Sequence, residues 1–175
     1  MHSYADLVNR GTFFTLSALK EANSKVLKIL EDSAPTGAVK SLQMIQLQKA
    51  ILAVGMFSMF DSRLQEHLHC EKGFRSAKDI LNEAEKLDLL NRFKVFESGI
   101  NVLKHGYGRS YDELVSKSKD LPFRIKLPDQ ALFEEGDVSE ISTLIDVDDR
   151  FVLDCAEVIE LVSNEIRKER PECLL

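Results

Sequence analysis

Apolar residues recur along most of this chain at three- and four-residue spacing, the period of a helix with one buried face; only one short stretch alternates as a strand would. From Tyr4 to Asp32 the stripe is Phe13, Leu16, Leu19, Val26, Leu27 and Leu30, which predicts a first amphipathic helix. Ser33-Ala-Pro-Thr-Gly37 breaks it, because proline disfavours helix at the preceding residue and glycine permits a sharp turn. From Val39 to about Glu71 the positions Leu42, Ile45, Leu52, Phe57, Phe60, Leu64 and Leu68 carry a second, longer pattern that is apolar nearly all round in its middle, the mark of a central helix. Gly55 inside it costs about 1 kcal/mol relative to alanine, and so predicts a neighbouring helix crossing closely there.

Lys72-Gly73 reads as a turn, after which Phe74, Ala77, Ile80, Leu81 and Ala84 predict a shorter helix with Ser76 as N-cap. Leu89, Phe93, Phe96, Ile100 and Leu103 follow a 4-3-4-3 spacing, the narrow seam of a bundled helix. Gly106 and Gly108 end it, and Ser110-x-x-Glu113 has the capping-box form for a short helix over about Tyr111 to Lys117. Between Pro122 and Pro128 the alternation of Phe123, Ile125 and Leu127 predicts an extended segment that pairs, if at all, at an edge, and Leu132 and Phe133 are expected to anchor the acidic loop that follows. Asp146 or Asp148 can cap a last helix with the stripe Phe151, Cys155, Val158, Ile159, Val162 and Ile166, which Pro171 stops. The expected fold is all-α: an antiparallel helical bundle of four to five main helices, one to four or with the last helix joining, in a single domain over 1–175 with an irregular insert around 106–149.

Composition narrows the chemistry. Cys70, Cys155 and Cys173 are few, odd in number and without CxxC spacing, which predicts reduced thiols in a cytoplasmic protein and argues against zinc. The first fifteen residues lack a basic and then apolar leader, and the most apolar run, Ala50 to Phe60, is far short of the ~20 residues that span a bilayer, so no membrane association is expected. A net charge of −6 disfavours general coating of nucleic acid. The charge is nevertheless segregated along the chain: Lys104 to Lys126 holds six Lys or Arg against three acids, while Asp129 to Asp149 holds eight acids and no base. A polyanion meeting the first segment would be repelled by the second.

The candidate chemistry gathers at the end of the fourth predicted helix. Glu97, Asn101 and His105, spaced i, i+4, i+8, share a flank away from the apolar seam, and Lys104, His105, Tyr107, Arg109 and Tyr111 crowd donors around two glycines whose backbone amides can approach a ligand. Such a set suits an anion or a phosphodiester; a solvated helix end is the plainer reading of the same residues. A second Arg-spacer-His pattern, Arg63 to His69, reads as an exposed helix end with i, i+4 pairs. Glu66-x-x-His69 is half of a di-iron pattern without its other half, and Asp146-x-Asp148 lacks the glycine of a calcium loop because Phe151 stands there. No metal site and no cofactor is expected.

Paired long helices with a shorter one between, followed by Asn101-x-x-x-His105 at a helix end, resemble the HEPN superfamily of all-α domains, which includes RNA-cleaving toxins, defence nucleases and nucleotide-binding modules. The resemblance implies metal-independent work on RNA, with His105 as acid/base, Asn101 orienting, and Lys104 or Arg109 assisting at phosphate together with Tyr107 and Tyr111 in the loop. It also implies a homodimer with the motif faces together. The chain departs from the family signature where an Arg should precede Asn101, because Ile100 stands there on the apolar seam. Without that cation, charge building on a phosphorane is less well stabilised, so the resemblance extends equally to a degenerate relative that only binds RNA or nucleotide. A non-catalytic helical module for a protein partner is the alternative.

Overall fold

A computed structural model describes residues 3–32, 35–132 and 138–173, and among them six α-helices: α1 (Tyr4–Asp32), α2 (Thr36–Leu68), α3 (Gly73–Glu83), α4 (Leu87–His105), α5 (Arg109–Ser116) and α6 (Asp149–Glu169). Four of them are long. The Tyr4 ring stacks on Phe60 and its hydroxyl donates to the Met56 carbonyl at 2.7 Å, so α1 runs antiparallel to α2. Arg92 of α4 pairs with Asp154 and Glu157 of α6 while Lys86 reaches Glu165, so α4 runs antiparallel to α6. At the α6 N-terminus Asp149 meets Lys49 (2.8 Å), and past its C-terminus the Cys173 thiol donates to the His67 carbonyl (3.4 Å), which sets α6 parallel to α2. The expected all-α antiparallel bundle is therefore what forms, from α1, α2, α4 and α6.

Which helices make the bundle differs from the first-four alternative. α6 touches α1, α2, α3 and α4, because its apolar face is too wide for one neighbour: Phe151, Val152, Cys155, Ala156, Val158, Ile159, Val162 and Ile166 are all buried. It stands beside α2 at the centre. α3 is short and lies across the end where α2 hands over to α4. There Phe57, Phe60, Phe74 and Phe93 pack ring against ring with centroids 5.3–6.4 Å apart.

Other local expectations shift by a residue or a partner. The inward positions of α1 are Ala5, Thr12 and Leu16; Phe13 and Leu27 point to solvent, since one residue turns a side chain by about 100°. At α3 the cap is not Ser76: Asp61 of α2 accepts from the Phe74 backbone N–H at 2.8 Å. α5 starts at Arg109, ahead of the expected Tyr111, and Glu113 pairs with Lys117 rather than closing a capping box with Ser110. α6 is capped as expected by Asp148, whose carboxylate accepts from the Phe151 N–H at 2.7 Å. A Cβ added at Gly55 would meet nothing within 4 Å, so no helix among the described residues crosses closely there. Of the expected loop anchors, Leu132 is buried and Phe133 lies outside the described residues.

Burial pushes the Tyr4 hydroxyl up from 10.0 to about 12, opposed by the nearby Arg63 charge. The folded state holds this proton more firmly than the unfolded chain, so the stabilisation is complete below pH 10 and is lost as pH rises towards 12. Tyr4→Phe is expected to cost about 1 kcal/mol at neutral pH for the lost hydrogen bond and to flatten the alkaline fall in stability. Melting curves from pH 8 to 12 check both.

Candidate functional site

The C-terminal end of α4 and the irregular chain beyond it form a concave surface. Helix α4 stops because Gly106 takes φ +74, a conformation that costs a side-chain-bearing residue, while its N–H still closes onto Val102 O at 2.8 Å. Gly108, at φ +151, then turns the chain into α5. Between the two glycines Tyr107 stands 70 % exposed, its ring edge-on to Tyr111 with centroids 4.9 Å apart.

The extended segment after α5 is fastened to the bundle by Phe123, which packs edge-on to Phe96 and Phe151. Gly99 makes the room: a Cβ there would come within 3.1 Å of the Phe123 ring. Ile125 then pairs with Ile145 in a single antiparallel bridge, with Lys126 N–H donating to Leu144 O (2.8 Å) and Asp146 N–H to Arg124 O (3.1 Å). The edge pairing expected for this stretch is thus one bridge long. A cavity of about 590 Å³ opens beside it, lined by Gln43 of α2, Gly106, Tyr107, Lys126, Glu140 and the backbone and side chains of 141–144. Gln43 Nε2 donates to Glu140 O (3.3 Å), and Thr143 Oγ1 donates to Ile145 O (2.9 Å), so the far wall is held in place by hydrogen bonds.

The sequence-predicted residues divide around this cavity. Tyr107 lines it. Tyr111 is buried, with its hydroxyl donating to Lys126 O at 2.8 Å and held above its usual range by burial, so it supports the wall rather than presenting itself to a ligand. Lys104, His105 and Arg109 are exposed and Asn101 is half-buried, and none of the four lines the cavity. Glu97, on the same flank as Asn101 and His105, is held by Lys78 of α3 through both carboxylate oxygens, at 2.8 and 3.1 Å. Ile100, in the position where the resemblance asks for Arg, is buried in the core.

Three residues that build the cavity were not singled out from sequence. Lys126 was legible: Phe123, Ile125 and Leu127 alternate, so the residues between them project the other way. Gln43 and Glu140 meet only through the fold. The charge segregation along the chain does not carry over into space at the bridge, which sets residues 144–146 against 124–126: Arg124 lies 3.7 Å from Asp146, and Glu140 and Lys126 share the cavity.

Elsewhere, Glu66, His67, His69, Arg170 and Cys173 surround a second cavity of about 450 Å³ at the end of α2. Arg63, nearby on α2, is paired with Glu66 at 2.7 Å, at i, i+3 rather than the expected i, i+4 spacing, and the Glu66 carboxyl is held below its usual range by that hydrogen bond and charge. Among the described residues no group of three His, Cys, Asp or Glu is placed to hold a metal ion, and no helix is long and apolar enough to cross a membrane. No family model matches the chain, and neither the curated proteins nor the solved structures give a match.

Proposed function

We propose that this chain is a HEPN-like cytoplasmic protein that binds a nucleotide, or the end of an RNA strand, in the cavity beside Gly106 and does not cleave it. The carrying observation is the exposed Tyr107 ring at a cavity that also offers Lys126, Gln43 and two hydroxyls. An aromatic face takes a base of any sequence, a lysine takes a phosphate as a point charge, and amide and hydroxyl groups suit a ribose. The volume lies within the range of small-ligand sites. Lys104 in the last turn of α4 and Arg109 at the start of α5 flank the Gly106–Gly108 loop with two exposed cations, without lining the cavity. Glu140 in the cavity wall favours one nucleotide over a polymer, since a further phosphate would meet its negative charge.

Binding is favoured over cleavage by two placements: His105 lies outside the cavity, and no cation replaces the buried Ile100. The three cysteines are free thiols, in keeping with a reducing compartment. The test is titration calorimetry with AMP, GMP and a short single-stranded RNA. Wild-type protein is expected to bind a mononucleotide, with Tyr107→Ala weakening binding about tenfold or more, given ~1–3 kcal/mol per stacked base. Absence of binding at millimolar nucleotide, or affinity unchanged by both Tyr107→Ala and Lys126→Ala, would sink the reading. RNA cleaved in EDTA by wild-type protein but not by His105→Ala would restore the catalytic one.

A further inference from the structure

The outer face of the α1–α2 hairpin carries large apolar side chains that nothing among the described residues covers. Leu7 and Phe14 on α1, and Met44, Leu47, Ile51 and Met59 on α2, are between 48 % and 78 % exposed. They form one surface. On α1 the Leu7, Gly11, Phe14 spacing sets one flank, the one towards Tyr4 and α2 and away from Asn9, which bonds Glu160 of α6. On α2, Met44, Leu47, Ile51, Gly55 and Met59 lie opposite or beside the buried row Ala53, Phe57, Phe60 and Leu64. Antiparallel pairing through Tyr4 and Met56, at equal rise per residue, sets Leu7 level with Ala53 and Gly11 level with Lys49, so the α1 row runs alongside the Leu47 to Met59 stretch of α2.

We infer that this face is the docking surface for a second copy of the chain, forming a two-fold dimer in which two α1–α2 hairpins pack face to face. Area supports that occupant. Taking roughly 200 Å² for a large, fully exposed apolar side chain, the six residues expose on the order of 700 Å². That is above the ~300–600 Å² of the largest patch on an ordinary monomer and near the ~800 Å² each partner buries in a standard interface.

Glycine placement supports it as well. Gly11 and Gly55 both sit in helix interiors, where glycine weakens a helix, and an added Cβ at either would meet nothing within 4 Å. Their reason is absent from the monomer and present in a dimer, because each opens a gap in which a side chain from the facing copy can rest. A self-complementary surface with projections beside gaps is what a two-fold interface needs.

Charge selects a protein copy over a lipid surface. From Ala50 to Phe60 there is no charged residue, and on the α1 flank Arg10, beside Leu7 and Phe14, is already paired with Asp6 at 2.9 Å and Lys25 with Glu21 at 2.7 Å, so a second copy brings no charge onto an unpaired charge. These two cations, each neutralised by an acid one turn away in a chain of net charge −6, give an anionic membrane little electrostatic hold. The face is built by α1 and α2 whereas Asn101 and His105 belong to α4, so this dimer is not the motif-to-motif pairing that the HEPN resemblance implies, and it stands independently of the nucleotide reading.

Sedimentation equilibrium from about 1 to 100 µM is the test, with helix content checked by circular dichroism. Wild-type protein is expected to show twice the 19.8 kDa chain mass. Phe14→Glu and Ile51→Glu should raise the dissociation constant at least ~100-fold while keeping full helicity, since both side chains are more than half exposed in the monomer. Gly55→Leu separates interface from fold: it should strengthen the isolated helix yet weaken the dimer. A wild-type monomer at 100 µM, or a dimer indifferent to all three substitutions, would overturn the inference. So would wild-type protein co-sedimenting with neutral or anionic vesicles and losing that property in Phe14→Glu, which would give the face to lipid.

Discussion

Phe93→Ala is expected to lower the melting temperature by about 10–15 °C, corresponding to roughly 3–5 kcal/mol for a fully buried aromatic truncated to alanine in a chain of this size. Phe93 is fully buried, and its ring meets Phe57, Phe60 and Phe74 at centroid distances of 6.4, 6.4 and 5.3 Å. Its removal strips the shared neighbour from rings on α2 and α3 at once. Three helices anchored elsewhere cannot all close on the space, so the cavity term should be near the upper end of its range. Chemical denaturation of Phe93→Ala and the milder Phe93→Leu measures it; a loss under about 1 kcal/mol for the alanine variant would mean that these rings do not form the joint between α2, α3 and α4.

Gly73→Ala is expected to be the most damaging single-methyl change in the chain, costing about 1–3 kcal/mol or more through overpacking. A Cβ there would lie 2.5 Å from Asp61 O and 2.7 Å from Leu64 Cβ, both belonging to the α2 helix rather than to a flexible side-chain end. Relief requires α3 to move off α2, which breaks the 2.8 Å bond from the Phe74 N–H to the Asp61 carboxylate that caps α3. Gly37→Ala is the control: Gly37 lies in the first turn of α2 with nothing within 4 Å of the added carbon, so that variant should be neutral or slightly stabilised. Equal melting temperatures for the two variants would show that the close approach at Gly73 is absent in solution.

Gly73 and Gly55 show how reading by residue type fails in both directions. In the sequence Gly73 is one half of a turn and Gly55 marks a helix crossing; in the fold the crossing is at Gly73, and Gly55 faces solvent. Glycine reports that something approaches or that the backbone turns, and the sequence holds no record of which. The candidate site divides in the same way. The two glycines that end α4 and start α5, and Tyr107 between them, were visible as local chemistry, because helix termination is decided within a few residues. Tyr111 was grouped with Tyr107 by proximity, yet one turn of α5 separates an exposed ring from one whose hydroxyl bonds Lys126 O inside the wall.

The sequence by itself determined the all-α class, the presence of α1, α2, α4 and α6, the extent of α1, a cap on α6 at Asp146 or Asp148 and the apolar row of α6, since these depend on period and on capping groups close along the chain. By contrast, α2 begins and ends three residues earlier than its pattern, and α4 buries Leu90 and Val102 more deeply than Leu89 and Leu103. Only the tertiary structure decided that α6 rather than α3 completes the bundle, that Asp61 caps α3 from another helix, and that residues 140–145 pair back against Ile125 and Lys126 to wall a cavity beside Tyr107. Each of these joins residues distant in sequence, and such pairings follow from which apolar faces are wide enough to be shared and where a glycine lets two backbones meet. Periodicity fixes the face a helix buries, but its partner is chosen by shape in three dimensions.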